Sequence, residues 1–150
     1  MEVRRLGVDD APLAQAVWAD VRNGDTSGDA FAQWLACDER LFVAALDAGR
    51  PVGFALGYVL ERTDALRRMV LLYEIEVAKA HRRRGVGRRL VEEVKAIARA
   101  YGAGKIWCVA EAGNQAARAL YTSTGSEEAD ADFAVFTWHE PSFGDPEREE

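Results

Sequence analysis

The clearest pattern in the chain runs from Gly87 to Tyr101. Leu90, Val94, Ile97 and Tyr101 recur at helical spacing on one stripe, with Val91 and Ala98 beside it. Gly102 stands where a helix C-cap is expected. Just upstream, Met69 to Val77 is rich in apolar residues that alternate at its end with Glu74 and Glu76, and this predicts a strand. Alternation places the two glutamates on one face, opposite Tyr73, Ile75 and Val77. Earlier in the chain, Glu2 to Leu6 reads as a short strand. A first helix follows, capped by Asp9 or Asp10, with Pro12 in its opening turn. Leu13, Ala14, Val17, Trp18 and Val21 form its apolar face, and Asn23-Gly24-Asp25 breaks it. A second helix spans about Gly28 to Cys37, with Phe31, Trp34 and Leu35 inward.

Leu41 to Leu46 and Val52 to Leu60 are strands joined by the turn Asp47-Ala48-Gly49-Arg50. Glu61 to Arg68 is polar and reads as a loop or a helical turn. Lys105 to Ala110 reads as a buried strand. Asn114 caps a short helix through Tyr121, and Phe133 to Trp138 is a last strand. Residues 140 to 150 form a flexible acidic tail, broken by Pro141 and Pro146. The order β-α-α-β-β-β-α-β-α-β predicts a mixed α/β sheet in one domain over residues 1–150. Trp18 and Trp34 are expected in the core, with a substrate wall as the alternative.

Composition narrows the function classes. The chain has no apolar run long enough to span a bilayer, and MEVRRLGVDD has no signal-peptide core, so a cytoplasmic location is expected. Cys37 and Cys108 form neither a disulfide framework nor a metal-binding spacing, and Cys108 is expected in the core. The net charge is −6, yet Arg82, Arg83, Arg84, Arg88 and Arg89 crowd into one loop and helix start. An anionic ligand at the arginines and a cationic partner elsewhere fit that asymmetry. Nucleic acid does not fit, since the protein is acidic and no aromatic residues interleave the arginines.

The strand, the loop Arg82-Arg83-Arg84-Gly85-Val86-Gly87 and the following helix make an anion site. The first N–H groups of a helix lack intrahelical partners, and glycine lets a ligand approach the backbone closely. The loop lacks the Gly-Lys-Ser/Thr of a Walker A motif and the spacing of a dinucleotide fingerprint. Glu74 and Glu76 are the candidate proton acceptors. Two carboxylates on a strand among buried neighbours are costly unless they line a wet cleft. His81 reads as a turn residue, and no role falls to His139.

With Asn114-x-x-Ala117-x-x-Leu120-Tyr121-x-x-x-Gly125 added, the chain resembles the GNAT superfamily of acetyl-CoA-dependent N-acetyltransferases over nearly its whole length. Arg82-x-x-Gly85-x-Gly87 matches that family's pyrophosphate loop. Within the superfamily, Tyr73 to Val77, His81-Arg82-Arg83, Ala119 to Thr122 and the acidic Ser126-Glu127-Glu128 most resemble the aminoglycoside 3-N-acetyltransferases.

The resemblance implies a GNAT-like α/β (α+β) domain. Its mixed, mostly antiparallel sheet would have about six or seven strands, splay in the middle and carry about four flanking helices. It also implies direct acetyl transfer from acetyl-CoA to a primary amine, without a metal. Glu74 is then the favoured base, with Glu76 left open for that role or for binding an ammonium group. Tyr121 is the acid beside the thioester sulfur, and the Val77 N–H is the oxyanion donor. Pantetheine would follow Ile75 to Val77. The diphosphate would lie against Arg82, Arg83, Arg84, Gly85, Val86, Gly87 and Arg88, and Asn114 would complete the acetyl-CoA site. Glu74, Glu76, Glu111, Glu127, Glu128, Asp130 and Asp132 would converge on a small polycationic amine, an aminoglycoside or a polyamine. Alternatives are a protein or peptide N-acetyltransferase and an acyl-CoA-binding sensor. A homodimer is a candidate assembly; no membrane or nucleic-acid partner is expected.

Overall fold

Among the described residues the chain folds around one sheet of five strands, whose spatial order is their order in sequence. The computed structural model describes residues 1–24, 28–63, 67–128 and 135–136. β1 (Glu2–Arg5), β2 (Arg40–Asp47), β3 (Arg50–Leu60) and β4 (Met69–Val77) pair antiparallel in sequence, and β5 (Lys105–Trp107) pairs parallel to β4. The β2–β3 turn needs left-handed backbone at two successive residues, and Ala48 and Gly49 supply it at φ 49° and 77°. Helices α1 (Ala11–Val17) and α2 (Gly28–Leu35) precede β2. α3 (Val86–Ala100) joins β4 to β5, and α4 (Gln115–Ser123) follows β5.

The sheet separates two cores. On one face α3 presents Val86, Leu90, Val91, Val94, Ile97 and Ala98 to Val43, Val52, Val70 and Leu72. This is the stripe expected from sequence. Its helix ends as expected too: Gly102 adopts φ 68°, Gly102 N–H donates to Arg99 O at 3.0 Å and Ala103 N–H to Ala98 O at 2.9 Å. On the other face α1 and α2 bury Ala14, Val17, Phe31 and Leu35 against Phe42, Phe54 and Leu56. Phe42 stacks on Phe54 with ring centroids 5.5 Å apart.

Four expectations need correction. Asp10 stands at the N-cap of α1, but its carboxylate makes no cap bond; it accepts from Gly7 N–H at 2.8 Å and from Arg4. α1 does not run straight to Val21, because Trp18–Arg22 winds as a π-helical turn. The expected buried strand over Lys105 to Ala110 is only Lys105–Trp107, and all three of its residues are exposed at the sheet edge. The sheet therefore has five strands among the described residues, not six or seven. Apart from Val135 and Phe136, which are exposed and irregular, the expected last strand lies outside the described residues, as do His139 and the acidic tail.

Candidate active site

β4 is where the two faces meet. Antiparallel pairs alternate between residues that bond each other and residues whose N–H and C=O turn to the opposite side. Ala78 N–H donates to Val52 O at 2.8 Å while Val77 faces Gly53. Val77 is therefore turned away from β3. By the same alternation so is Ile75, which faces Ala55. Their backbone groups look toward the β5 side, but β5 pairs with β4 only from Met69 to Leu71. Among the described residues the C-terminal half of β4 thus has no strand paired along that edge. The Val77 carbonyl is already taken, since Arg82 Nε donates to it at 3.1 Å.

A bulge changes which side chains share a face. Leu56 faces Glu74 but Gly57 faces Leu72, so Tyr73 is the extra residue. A Cβ at Gly57 would lie 2.7 Å from the Leu71 carbonyl oxygen, so glycine is what allows the two backbones this close. Past the bulge, Ile75 and Val77 pack on the α3 core together with Val70 and Leu72. Glu74 and Glu76 take the opposite face, as expected. Tyr73 does not: its ring lies 5.9 Å from that of Tyr58, which packs on the α1–α2 core. An uninterrupted alternation puts Tyr73 opposite the glutamates, and the bulge puts it beside them.

The glutamates are not an open acidic pair. The Arg22 guanidinium, from the end of the π-turn, ion-pairs with Glu74 and stands 3.5 Å from Glu76 Oε2. It also lies over the Trp18 ring at 5.4 Å. Trp18 and Trp34 are partly buried: Trp18 packs on Phe54 with centroids 5.4 Å apart and Trp34 on Tyr58 at 5.9 Å. Both are core residues, as expected, and Trp18 additionally floors the arginine.

The loop beyond β4 forms a backbone cradle. Lys79–His81 is a single 3-10 turn, and the imidazole of His81 lies 3.9 Å from the Asp47 carboxylate. Arg83 and Gly85 then adopt φ 60° and 80°, and α3 begins at Val86 with no side chain capping it. Its first N–H groups and its dipole face the loop. Gly53 lets α3 sit close to the sheet, because a Cβ there would meet Glu76 O at 3.0 Å and Val86 Cγ1 at 3.1 Å. Gly87 does the same for α4: a Cβ would meet Leu120 Cδ2 at 3.0 Å.

The arginines divide by role. Arg82 holds Val77 O, Arg88 donates to the Ser123 carbonyl at the end of α4, and Arg89 donates to Met1 O. Among the described residues no hydrogen bond or ion pair engages the side chains of Arg83 and Arg84, and both are exposed.

Tyr121, on α4, packs with Cys108 and Leu120 against the α3 core, the face that also carries Ile75 and Val77. Burial, with the neighbouring Cys108 adding to it, pushes its phenol up to about 12. Burial likewise raises the Cys108 thiol, which favours its protonated form. Asn114 caps α4 as expected, its Oδ1 accepting from Ala117 N–H at 3.0 Å. Glu111 is exposed and offers its carbonyl to Asn114 N–H. Glu128 is drawn to α4 by a two-pronged pair with Arg118, at 2.9 and 3.1 Å. Asp130 and Asp132 lie outside the described residues. Glu74 and Glu76 are the two expected acidic residues that the structure brings together.

The model of the acetyltransferase (GNAT) family matches residues 10–125. The chain belongs to this family. A streptothricin acetyltransferase of Streptomyces lavendulae is 32% identical over 128 residues, an alignment that spans 85% of this chain and 64% of that relative's length. Among solved structures, an aminoglycoside acetyltransferase from an uncultured soil metagenomic sample superposes with a TM-score of 0.77 at 28% identity, over 91% of this chain and 98% of that one. A second such enzyme, solved in complex with sisomicin, gives 0.77 at 20% identity, over 91% and 96% of the two chains; at that identity the likeness is one of fold.

In this GNAT chain, Arg22 is the residue beside the candidate glutamates that sequence reasoning missed. It lies in a polar stretch far from the glutamates, and no local spacing points to it. Among the described residues no cluster of His, Cys, Asp and Glu is placed to hold a metal ion, and no helix is long and apolar enough to cross a membrane.

Proposed function

We propose that this protein moves the acetyl group of acetyl-CoA directly onto a primary amine of a small polycationic substrate, an aminoglycoside acetylated at its 3-amino group. One observation carries the reading. β4 turns the Ile75 backbone groups and the Val77 N–H to an edge unpaired among the described residues, and its carboxylates, Glu74 and Glu76, to one face. A thioester laid along that edge meets an amine held by the carboxylates.

The chemistry needs a proton acceptor, an oxyanion donor and an acid, and the substrate needs a partner for its remaining charge. Glu74, directly or through a water, takes the proton that the attacking ammonium must lose. Glu76 holds the charge of a neighbouring ammonium group. The Val77 N–H, turned away from β3, donates to the oxygen that gains charge as nitrogen bonds the carbonyl carbon. As the C–S bond breaks, the Tyr121 hydroxyl supplies the hydrogen bond and proton to the departing sulfur. Amide and free CoA result: the ammonium loses two protons in becoming an amide N–H, one matched by the proton the thiol gains and the other passed by Glu74 to solvent. The diphosphate sits on the N–H groups from Gly85 to Arg88 at the start of α3. Arg83 and Arg84, which have no side-chain partner among the described residues, would meet further phosphate charge.

The streptothricin and aminoglycoside acetyltransferases among the relatives support a polycationic antibiotic as the amine. CoA release with acetyl-CoA and a panel of aminoglycosides, streptothricin, polyamines and peptides tests this. Turnover of an aminoglycoside, with the amide at the 3-amino group by NMR, is the expected result. Turnover of peptides alone would replace the reading with protein acetylation. Acetyl-CoA binding without turnover of any amine would make the protein a sensor.

A further inference from the structure

Arg22 is a cation already seated between the two acceptor carboxylates. Its guanidinium pairs with Glu74 and lies 3.5 Å from Glu76, and Trp18 faces it at 5.4 Å. Two carboxylates with an aromatic floor are what an ammonium group would need. Arg22 therefore occupies, with the same charge, the place assigned above to the substrate.

It is also the outermost of the three groups. The guanidinium ion-pairs with Glu74 Oε1, whereas its Glu76 contact is long. The Arg22 side chain is 45% exposed, against 17% for Glu74 and 31% for Glu76. It is attached to a π-turn, and the next residue, Asn23, has left-handed backbone at φ 55°, so the chain changes direction directly after it. A side chain that is outermost and at the end of its helix can swing to solvent without disturbing the core.

We infer that Arg22 is a displaceable internal substitute for the cationic substrate and sets the selectivity of the acceptor site. The inference rests on the acceptor role of Glu74 and Glu76. With Arg22 in place the carboxylates are paired, so water and monovalent cations gain little there. A polycation that contacts both carboxylates at once can replace one guanidinium, whereas a simple monoamine competes poorly. Arg22 thus favours multiply charged amines and keeps the half-buried carboxylates from standing uncompensated between turnovers.

The test measures binding of neomycin, spermidine and butylamine by calorimetry on the full chain without acetyl-CoA, so it is independent of turnover. Arg22→Ala and Arg22→Gln are compared with wild type; the glutamine variant keeps a side chain over Trp18. Both are expected to bind neomycin and spermidine about tenfold more tightly and to narrow the gap between polycations and butylamine. Arg22→Lys is expected to behave as wild type, and acetyl-CoA affinity to stay within about twofold in all. Weaker or unchanged polycation binding in Arg22→Gln, at an unchanged melting temperature, would overturn the inference. So would an absence of binding by wild type and variants alike. Failure of the acetyltransferase reading shows separately, as no CoA release from wild type with any amine.

Discussion

Burial keeps the Tyr121 phenol up at about 12, so it holds its proton across the neutral range. A neutral phenol is the form that can donate to a departing thiolate, whereas an ionised one would repel it. Tyr121→Phe is expected to lower kcat by about a hundredfold while leaving acetyl-CoA affinity within about threefold. Steady-state rates beside an equilibrium titration separate the two effects, and an unchanged kcat would remove Tyr121 as the donor. The same shift has a stability consequence. The ordinary phenol value is 10.0, so between there and about 12 the unfolded chain releases a proton that the folded chain keeps. The raised group contributes fully below pH 10, and its contribution is lost as pH climbs. Denaturant midpoints from pH 9 to 11 are expected to fall faster for wild type than for Tyr121→Phe.

The bulge in β4 puts Tyr73 and Glu74 on one face, and Gly57 permits it. Gly57→Ala places a Cβ 2.7 Å from the Leu71 carbonyl oxygen, a backbone atom that cannot rotate away. The substitution is expected to cost about 2 kcal/mol in urea unfolding. It is also expected to lower kcat more than acetyl-CoA affinity, since it is Glu74 that moves. At α4, Asn114→Ala removes the bond to Ala117 N–H and is expected to cost about 1 kcal/mol, with Asn114→Asp neutral. The elements differ in how far sequence reveals them. α3 is legible because its period is local: Leu90, Val94 and Ile97 repeat within one helix, and the stripe is what packs. The Ala48-Gly49 turn is legible because left-handed backbone selects glycine. The bulge is not, because it depends on what β3 places opposite, and counting alternate residues assumes an unbroken register. β5 misleads for a related reason: an apolar run reads as buried, but whether an edge strand is covered depends on what lies beyond it. Arg22 escapes entirely, since it meets Glu76 across 54 residues of sequence and only after α1 has packed on the sheet.

Across the whole molecule, the proposed half-sites lie on opposite faces of one sheet. Glu74 and Glu76 share a face with Arg22 and the α1–α2 core, while Tyr121 and the α3 N-terminus belong to the α3 core. Among the described residues the unpaired edge of β4 connects them. A chain of net charge −6 can thus hold a diphosphate and a polycation together, because the two charges meet different sides of the sheet. That separation makes a prediction about coupling. The double variant Arg83→Ala/Arg84→Ala is expected to raise the Kd for acetyl-CoA about tenfold and flatten its salt dependence, because those exposed cations have no partner to lose among the described residues. Glu74→Gln is expected to lower kcat about a hundredfold and to leave that Kd unchanged. With no shared contact between the two sets of side chains, their effects on kcat/KM for acetyl-CoA should add to within about 0.5 kcal/mol. A coupling above about 1 kcal/mol in that double-mutant cycle would mean that the faces communicate through more than the β4 edge. The picture of two independent sites joined by one strand would then have to be abandoned.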